Sequence, residues 1–497
     1  MRKLHTYIYI CLIAVLSSCE GWLHVTPKTQ VPTEDFYKSE TGFEDALIGC
    51  YVKMNSENLY GKFLTMRGID YMAQYYDKMA ASSVEYALRT FDYENSDVEA
   101  LFKSVYNELY NIILQANDII EHIDSEDART VVRKESKRRL IKGEALAIRA
   151  FCHFDILRIF GQLPRQASVL VTLPYSEVTG VVERPHLLYR QYVEKLQRDL
   201  DDAAELLSDD PVRRFSYAQL NNTTDEMVAA MPDVADDFFT FRRFRFNYYA
   251  VRALSARVSL YTGNRQDAYQ AAMEVIDAKG DDGGSIVRLA GEDDYMKGHY
   301  TLPSETLLAL SNAELESMTV ELEQIFKNGD SSTDAMRFLK SRRDAMFQGR
   351  NTANNNRYNR IWGEYSGFSG EIVPYQKKYF QNEVSASEDV KLTERWQIPL
   401  IRLSEVYLIA MESSDDLSEV NTMFYDYMVA RNEQPDAFTS LSSAKEEILN
   451  EYRREFLAEG QMFFVYKRLN TNKMLWNVNS IKEANYIVPV PRSENKK

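Results

Sequence analysis

The chain has 497 residues, 45% of them hydrophobic and 27% charged, with a formal net charge of −15. This is a globular composition, large enough for one big domain or a few smaller ones, without collagenous or disordered bias. The acidity opposes nonspecific nucleic-acid binding and peripheral attachment to anionic lipid, and beyond Leu16 no apolar run approaches the roughly 18 residues of a membrane-spanning helix.

Residues 1–18 read as a lipoprotein signal peptide. Arg2 and Lys3 precede a short, largely apolar stretch from Tyr7 to Leu16, and Leu16-Ser17-Ser18-Cys19 closes the segment in a lipobox pattern. Cys19 is the expected lipidation site: its thiol takes a diacylglyceryl group, and the amine freed by cleavage takes a fatty acyl chain such as palmitate. Each buried methylene contributes about 0.8 kcal/mol, so two or three chains make a durable anchor. Residues 19–35, polar and containing Pro27 and Pro32, form the tether, and 36–497 are expected to fold as one domain.

Helical periodicity dominates from there. Tyr106, Leu109, Ile113, Ala116, Ile119 and Ile120 make one apolar stripe; Ala147, Ala150, Phe151, Phe154 and Leu157 make a second, ended by Gly161 and Pro164. A third runs Tyr192, Leu196, Leu200, Ala203 and Leu207. Tyr248 to Ala278 predicts two helices broken at Thr262-Gly263-Asn264, with Gly263 as a left-handed cap and small residues where the helices cross, in the manner of a tetratricopeptide (TPR) hairpin. Between about 279 and 398, Gly- and Asn-rich punctuation predicts loops with a few strands or short helices. Helical stripes return at Ile401–Met411, Val420–Val429 and Ala444–Ala458. Cys50 and Cys152 lie in apolar helical patterns and read as buried free thiols.

Motifs for chemistry are scarce. None of the six histidines has His-Glu-x-x-His spacing or a cysteine cluster, and neither a phosphate loop nor a Gly-x-Ser-x-Gly elbow occurs. A twelve-residue window from Asp281 to Glu292 imitates a calcium loop but carries Ile286 where the turn requires glycine. The chain is therefore expected to be no enzyme and to need no cofactor or metal. Aromatic side chains are the stronger lead. Tyr76 and Tyr86, with Tyr75 and Tyr93 nearby, stand in polar surroundings, as do Tyr358, Trp362, Tyr365 and Phe368. Rings left exposed suit sugar faces or peptide side chains, and Asn355 and Arg360, with Asn354, Asn356, Arg357 and Glu364, can supply hydrogen bonds to hydroxyls.

The motifs in order resemble the SusD/RagB family of nutrient-uptake outer-membrane lipoproteins. They are Trp22-Leu23 with Pro27; Phe36-Tyr37 followed by Phe43, Ala46-Leu47, Gly49 and Tyr51; Gly143-Glu144-Ala145 through Arg149-Ala150-Phe151 to Phe160-Gly161; Ile401-Arg402-Leu403-Ser404-Glu405; and Arg453-Arg454-Glu455-Phe456, Glu459-Gly460, Phe463-Phe464 and Lys467-Arg468. His24, Tyr452 and Val465 depart from the pattern. The resemblance implies a mainly α fold with TPR-like hairpins and a loop-rich region with minor β structure. It implies a lipid-anchored, cell-surface protein of the outer membrane that captures a glycan and delivers it to a SusC-like TonB-dependent barrel. A peptide-binding member of the family, a lipid-anchored hydrolase and an adaptor without a ligand remain alternatives. Glu144, Arg149, Glu405, Arg454, Glu455 and Arg468 are expected to form partly buried ion pairs that lock helices together.

Overall fold

The computed structural model describes residues 36–76, 80–164, 170–171, 173–180, 187–298, 300–315, 338–366, 370–379, 396–476 and 480–492. Cys19 and Phe368 therefore lie outside the described residues. Four helices open the fold: α1 (Glu40–Met54), α2 (Ser96–Ile123), α3 (Glu135–Phe160) and α4 (Tyr189–Leu206). Their starts are chemical. Ser39 accepts from the Gly42 N–H, and Asn95 accepts from the Asp97 and Val98 N–H groups, pairing donors the first turn leaves open.

Helix α3 is the axle. Every residue from Gly143 to Phe160 is buried, because α2 packs on one flank and α4 on another. Burial of Phe151, Phe154, Leu157 and Ile159 stabilises by about 1.5–3 kcal/mol for each side chain. Gly143 permits the close approach: a Cβ there would sit 2.9 Å from Leu207 Cγ. Charge fixes the rotation of the helices. Arg149 donates two 2.7 Å bonds to Asp199 of α4 and one of 3.0 Å to Asn117 of α2. Glu144 takes the Tyr51 hydroxyl of α1 at 2.8 Å and the Arg242 guanidinium, which also holds Asp210 at 2.7 Å. Both thiols are buried and free, and burial pushes Cys50 up to about 12.

The expected hairpin is present as α5 (Tyr248–Thr262) and α6 (Arg265–Ile276). Gly263 adopts φ +92°, and Asn264 caps α6 by accepting from the Asp267 N–H. Beyond it come β1 (Thr306–Ser311), β2 (Trp362–Ser366), β3 (Ile372–Gln376), β4 (Gln397–Arg402), α7 (Leu403–Ser413), α8 (Leu417–Val429), α9 (Leu441–Glu455) and α10 (Met462–Leu469). The helix expected from Ile401 starts two residues later. Ile401 and Arg402 are extended because Gln397–Arg402 pairs antiparallel with β1, and all six of its residues are buried. Helix α7 packs on α6, and Arg257 of α5 grips Glu405 with two 2.6 Å bonds.

A denser ion network joins the second half. Arg402 contacts Glu305, Glu455 and Glu459 at 2.5–3.0 Å, Arg357 reaches Glu451 and Glu455, and Arg431 sits between Glu305 and Glu455. The six residues expected to pair do so, with Arg468 on Glu412 and Arg454 on Glu447 and Glu451. Among the described residues no helix is long and apolar enough to cross a membrane.

Candidate functional site

Strands β2 and β3 form a hairpin in which Trp362 faces Gln376 and Ser366 faces Ile372. Side chains alternate along a strand, so Trp362 and Glu364 share one face while Gly363 and Tyr365 share the other. Trp362 and Tyr365 thus do not make a joint platform. Gly363 is covered by its cross-strand partner Tyr375, whose ring would meet an added Cβ at 2.3 Å, and Tyr365 packs beside that ring at 6.2 Å. Tyr365 is half-buried and Arg360 exposed.

On the other face, two stretches far apart in sequence converge. The Trp362 ring lies 5.0 Å from Phe338, edge-on, and Tyr76 reaches the same Phe338 at 6.4 Å. Trp476 adds a third ring at 5.7 Å, half-buried, with the Arg342 guanidinium 5.1 Å above its face. Arg342 also donates to the Gln74 carbonyl at 3.5 Å, and Gln74 holds a left-handed φ of +70°. Its side-chain amide secures that bend by donating to the Arg89 carbonyl at 2.8 Å.

This geometry corrects several expectations. Tyr76 is 1% exposed and Trp362 8%, so neither offers a free ring face; both support the rings at the edge. Their polar sequence neighbours disguised the burial, because in a strand or turn every second side chain can point inward. Asn355 is fully buried: its carbonyl oxygen accepts from the Tyr358 N–H, and its amide donates to Glu433. Tyr358 is half-buried, donates to Asp344 at 2.8 Å and lies under the Arg343 guanidinium. Arg357 is locked in the ion network and Glu364 pairs with Arg343 at 2.7 Å. Tyr75 and Tyr93 spend their hydroxyls on the Arg453 and Asn485 carbonyls. Tyr86 stays 38% exposed, away from the Phe338 cluster. Sequence reading missed Phe338, Arg342 and Trp476. Trp476, one of four tryptophans and set in the polar stretch Asn472–Ser480, carried the available signal.

The electrostatics suit hydrogen bonding to hydroxyls. Burial tends to raise Asp344, but Lys340, Tyr358 and Arg343 outweigh it and hold the carboxyl below its ordinary value, as a permanent acceptor. The nearby carboxyl that burial does push up, Asp70, is sealed in the interior and accepts from the Ala458 N–H at 2.5 Å. Among the described residues no group of three or more His, Cys, Asp or Glu side chains is placed to hold a metal ion.

Two family models match the chain. One, described as starch-binding and associating with the outer membrane, matches residues 21–222, and the SusD family model matches residues 340–496. A curated SusD-like protein from Formosa agariphila is 27% identical over 176 residues, 34% of this chain and 33% of that relative; a second from the same organism is 25% identical over 206 residues and 37% of its length. Among solved structures, a SusD superfamily protein from Bacteroides thetaiotaomicron superposes with a TM-score of 0.68 at 20% identity, covering 94% of this chain and 98% of its own. A laminarin-binding SusD-like protein gives 0.62 at 15% identity, covering 93% and 98%. The solved structures, at 15–20% identity, show the shared fold; the two models of this family together match most of the chain, and this protein belongs to the SusD/RagB family.

Proposed function

We propose that the protein is a lipid-anchored outer-membrane binding protein that captures a glycan and passes it to a SusC-like TonB-dependent barrel. The observation that carries the reading is the convergence of residues 74–76, 338–342, 362 and 476 on one ring cluster with a half-exposed indole and a guanidinium at its edge. Stacking contacts of about 1 kcal/mol each give millimolar to micromolar affinity, which suits a ligand that must be handed onward. Arg360, exposed at the end of the short helix Asn356–Arg360, is proposed to extend the contact surface, while Tyr365 on the opposite face of the hairpin is proposed as a separate contact, with Phe368 between its strands in sequence. The family descriptions support carbohydrate binding and outer-membrane association; the anchor at Cys19 and the barrel partner rest on the lipobox and on family resemblance. The stacked hairpins α5 to α8 are the proposed barrel contact, since such arrays present broad surfaces.

The ionised, paired state of Asp344 and the sealing of Asp70 favour binding over glycoside hydrolysis, which needs a reachable carboxyl of raised pKa. Titration of the purified protein with laminari-, malto- and xylo-oligosaccharides tests the reading. Trp476→Ala or Arg342→Ala should weaken binding at least tenfold with the fold intact by circular dichroism. Wild-type affinity in both variants would remove this site, and sugar release over hours would favour the hydrolase.

A further inference from the structure

A cleft of about 470 Å³ is lined by Tyr71, whose ring neighbours Tyr76 of the ring cluster. Small-molecule sites span about 300–1,000 Å³, so it is large enough for a short ligand. Its floor is Phe63, held flat on Gly68: a Cβ at that glycine would fall 2.0 Å from the Phe63 ring, so only glycine allows this seat. Phe63 to Arg67 is a single π-helical turn closed by the Gly68 N–H on the Phe63 carbonyl, a wide turn that recurs at functional sites. Val84, Leu88 and Leu101 complete the apolar lining.

The polar lining is charge-balanced, although the chain as a whole is strongly acidic. Lys62 faces Glu57 at 3.7 Å, and Arg67 holds Glu85 at 2.5 Å. Burial on its own would lower Arg67, but Tyr71 and Glu85 outweigh it and raise the guanidinium, which stays charged. A charged ligand would have to break one of these pairs. A hydroxyl, by contrast, can donate to a carboxylate and accept from a cation while both pairs persist. Tyr71 lines the cleft and stands 5.2 Å from Tyr76, which leads to Phe338. The cleft and the ring cluster therefore share one aromatic wall.

From this we propose that the cleft is a second binding site, for an uncharged polyhydroxylated ligand whose hydroxyls bridge the Arg67–Glu85 and Lys62–Glu57 pairs. The ligand class rests on the glycan-capture reading; the location does not. Ser82 is an exposed lining residue, so Ser82→Trp fills the cleft without touching the core. Calorimetric titration with neutral malto-, laminari-, xylo- and manno-oligosaccharides should find a class of sites that Ser82→Trp weakens at least tenfold and Trp476→Ala leaves in place. A second variant, Glu85→Gln, strips Arg67 of its counter-charge. It should lose affinity for neutral sugars and gain it for uronate oligosaccharides, which a merely structural role would not produce. Wild-type binding in Ser82→Trp with loss in Trp476→Ala overturns the cleft and leaves the ring cluster standing. Loss in Ser82→Trp with full binding in Trp476→Ala does the reverse. Binding by uronates alone, or by no sugar in the set, overturns the cleft.

Discussion

Gly460 shows how much a single atom matters here. Its φ is +65°, and an added Cβ would lie 1.8 Å from the Leu64 carbonyl oxygen, in the turn that carries the Phe63 floor. Left-handed backbone and backbone clash together should cost Gly460→Ala about 2–4 kcal/mol. The denaturation midpoint in guanidinium checks this, and an unchanged midpoint would mean the two segments do not touch. Residue-level legibility was uneven for a physical reason. Arg149, Glu405 and Arg468 could be named as pairing residues because they stand in the motifs that carry the family resemblance, and charges held in packed helices need partners. Asn355 and Trp362 could not, because their burial depends on Glu433 and Phe338, which are remote in sequence.

At the scale of elements, the helices were readable and the strand pairing was not. Stripes of three- and four-residue spacing marked α2 to α6, and Gly263 marked the hairpin turn. Ile401 also reads as the start of a helical stripe; only pairing with β1, more than eighty residues earlier, makes it extended. The network at the end of α9 gives the elements a pH dependence. Burial alone would raise the Glu451 carboxyl, but Arg357 and Arg454 outweigh it and hold it at about 2 against an ordinary 4.5. Glu455 is depressed in the same sense: burial would raise it too, but Arg431, Arg402 and Arg357 prevail. A carboxyl lowered on folding stabilises above its unfolded pKa and loses that contribution as pH falls through the folded value. Glu451 alone contributes about 3 kcal/mol at neutral pH. Urea midpoints should therefore hold from pH 7 to about 5 and decline from there toward pH 2. Glu451→Gln should start about 3 kcal/mol lower at pH 7, because Arg357 and Arg454 each lose one of their two carboxylates, and should fall less steeply. Parallel declines in both proteins would count against the assignment.

For the whole molecule, the proposed anchor and the proposed ligand surface can be tested separately. Cys19→Ala should move the protein from the membrane to the soluble fraction while leaving oligosaccharide affinity within twofold, as read by fractionation and calorimetry. Retention in washed membranes would defeat the lipid argument. The mainly α architecture was accessible from sequence, as was the family. The ring cluster was only half accessible: Tyr76 and Trp362 were singled out, yet for exposure they do not have, and Phe338 with Trp476 completes what they begin.

The last turns of the chain are fastened to the first. Lys467 donates to the carbonyls of Arg158 and Gly161 at the end of α3, the Val488 N–H reaches the Ile159 carbonyl, and Arg492 bridges to Glu94 and Glu99. A ribosome can therefore release α1 to α4 to pack on one another early, while the end of α3 and the start of α2 acquire these clasps only after residues 467–492 have been made.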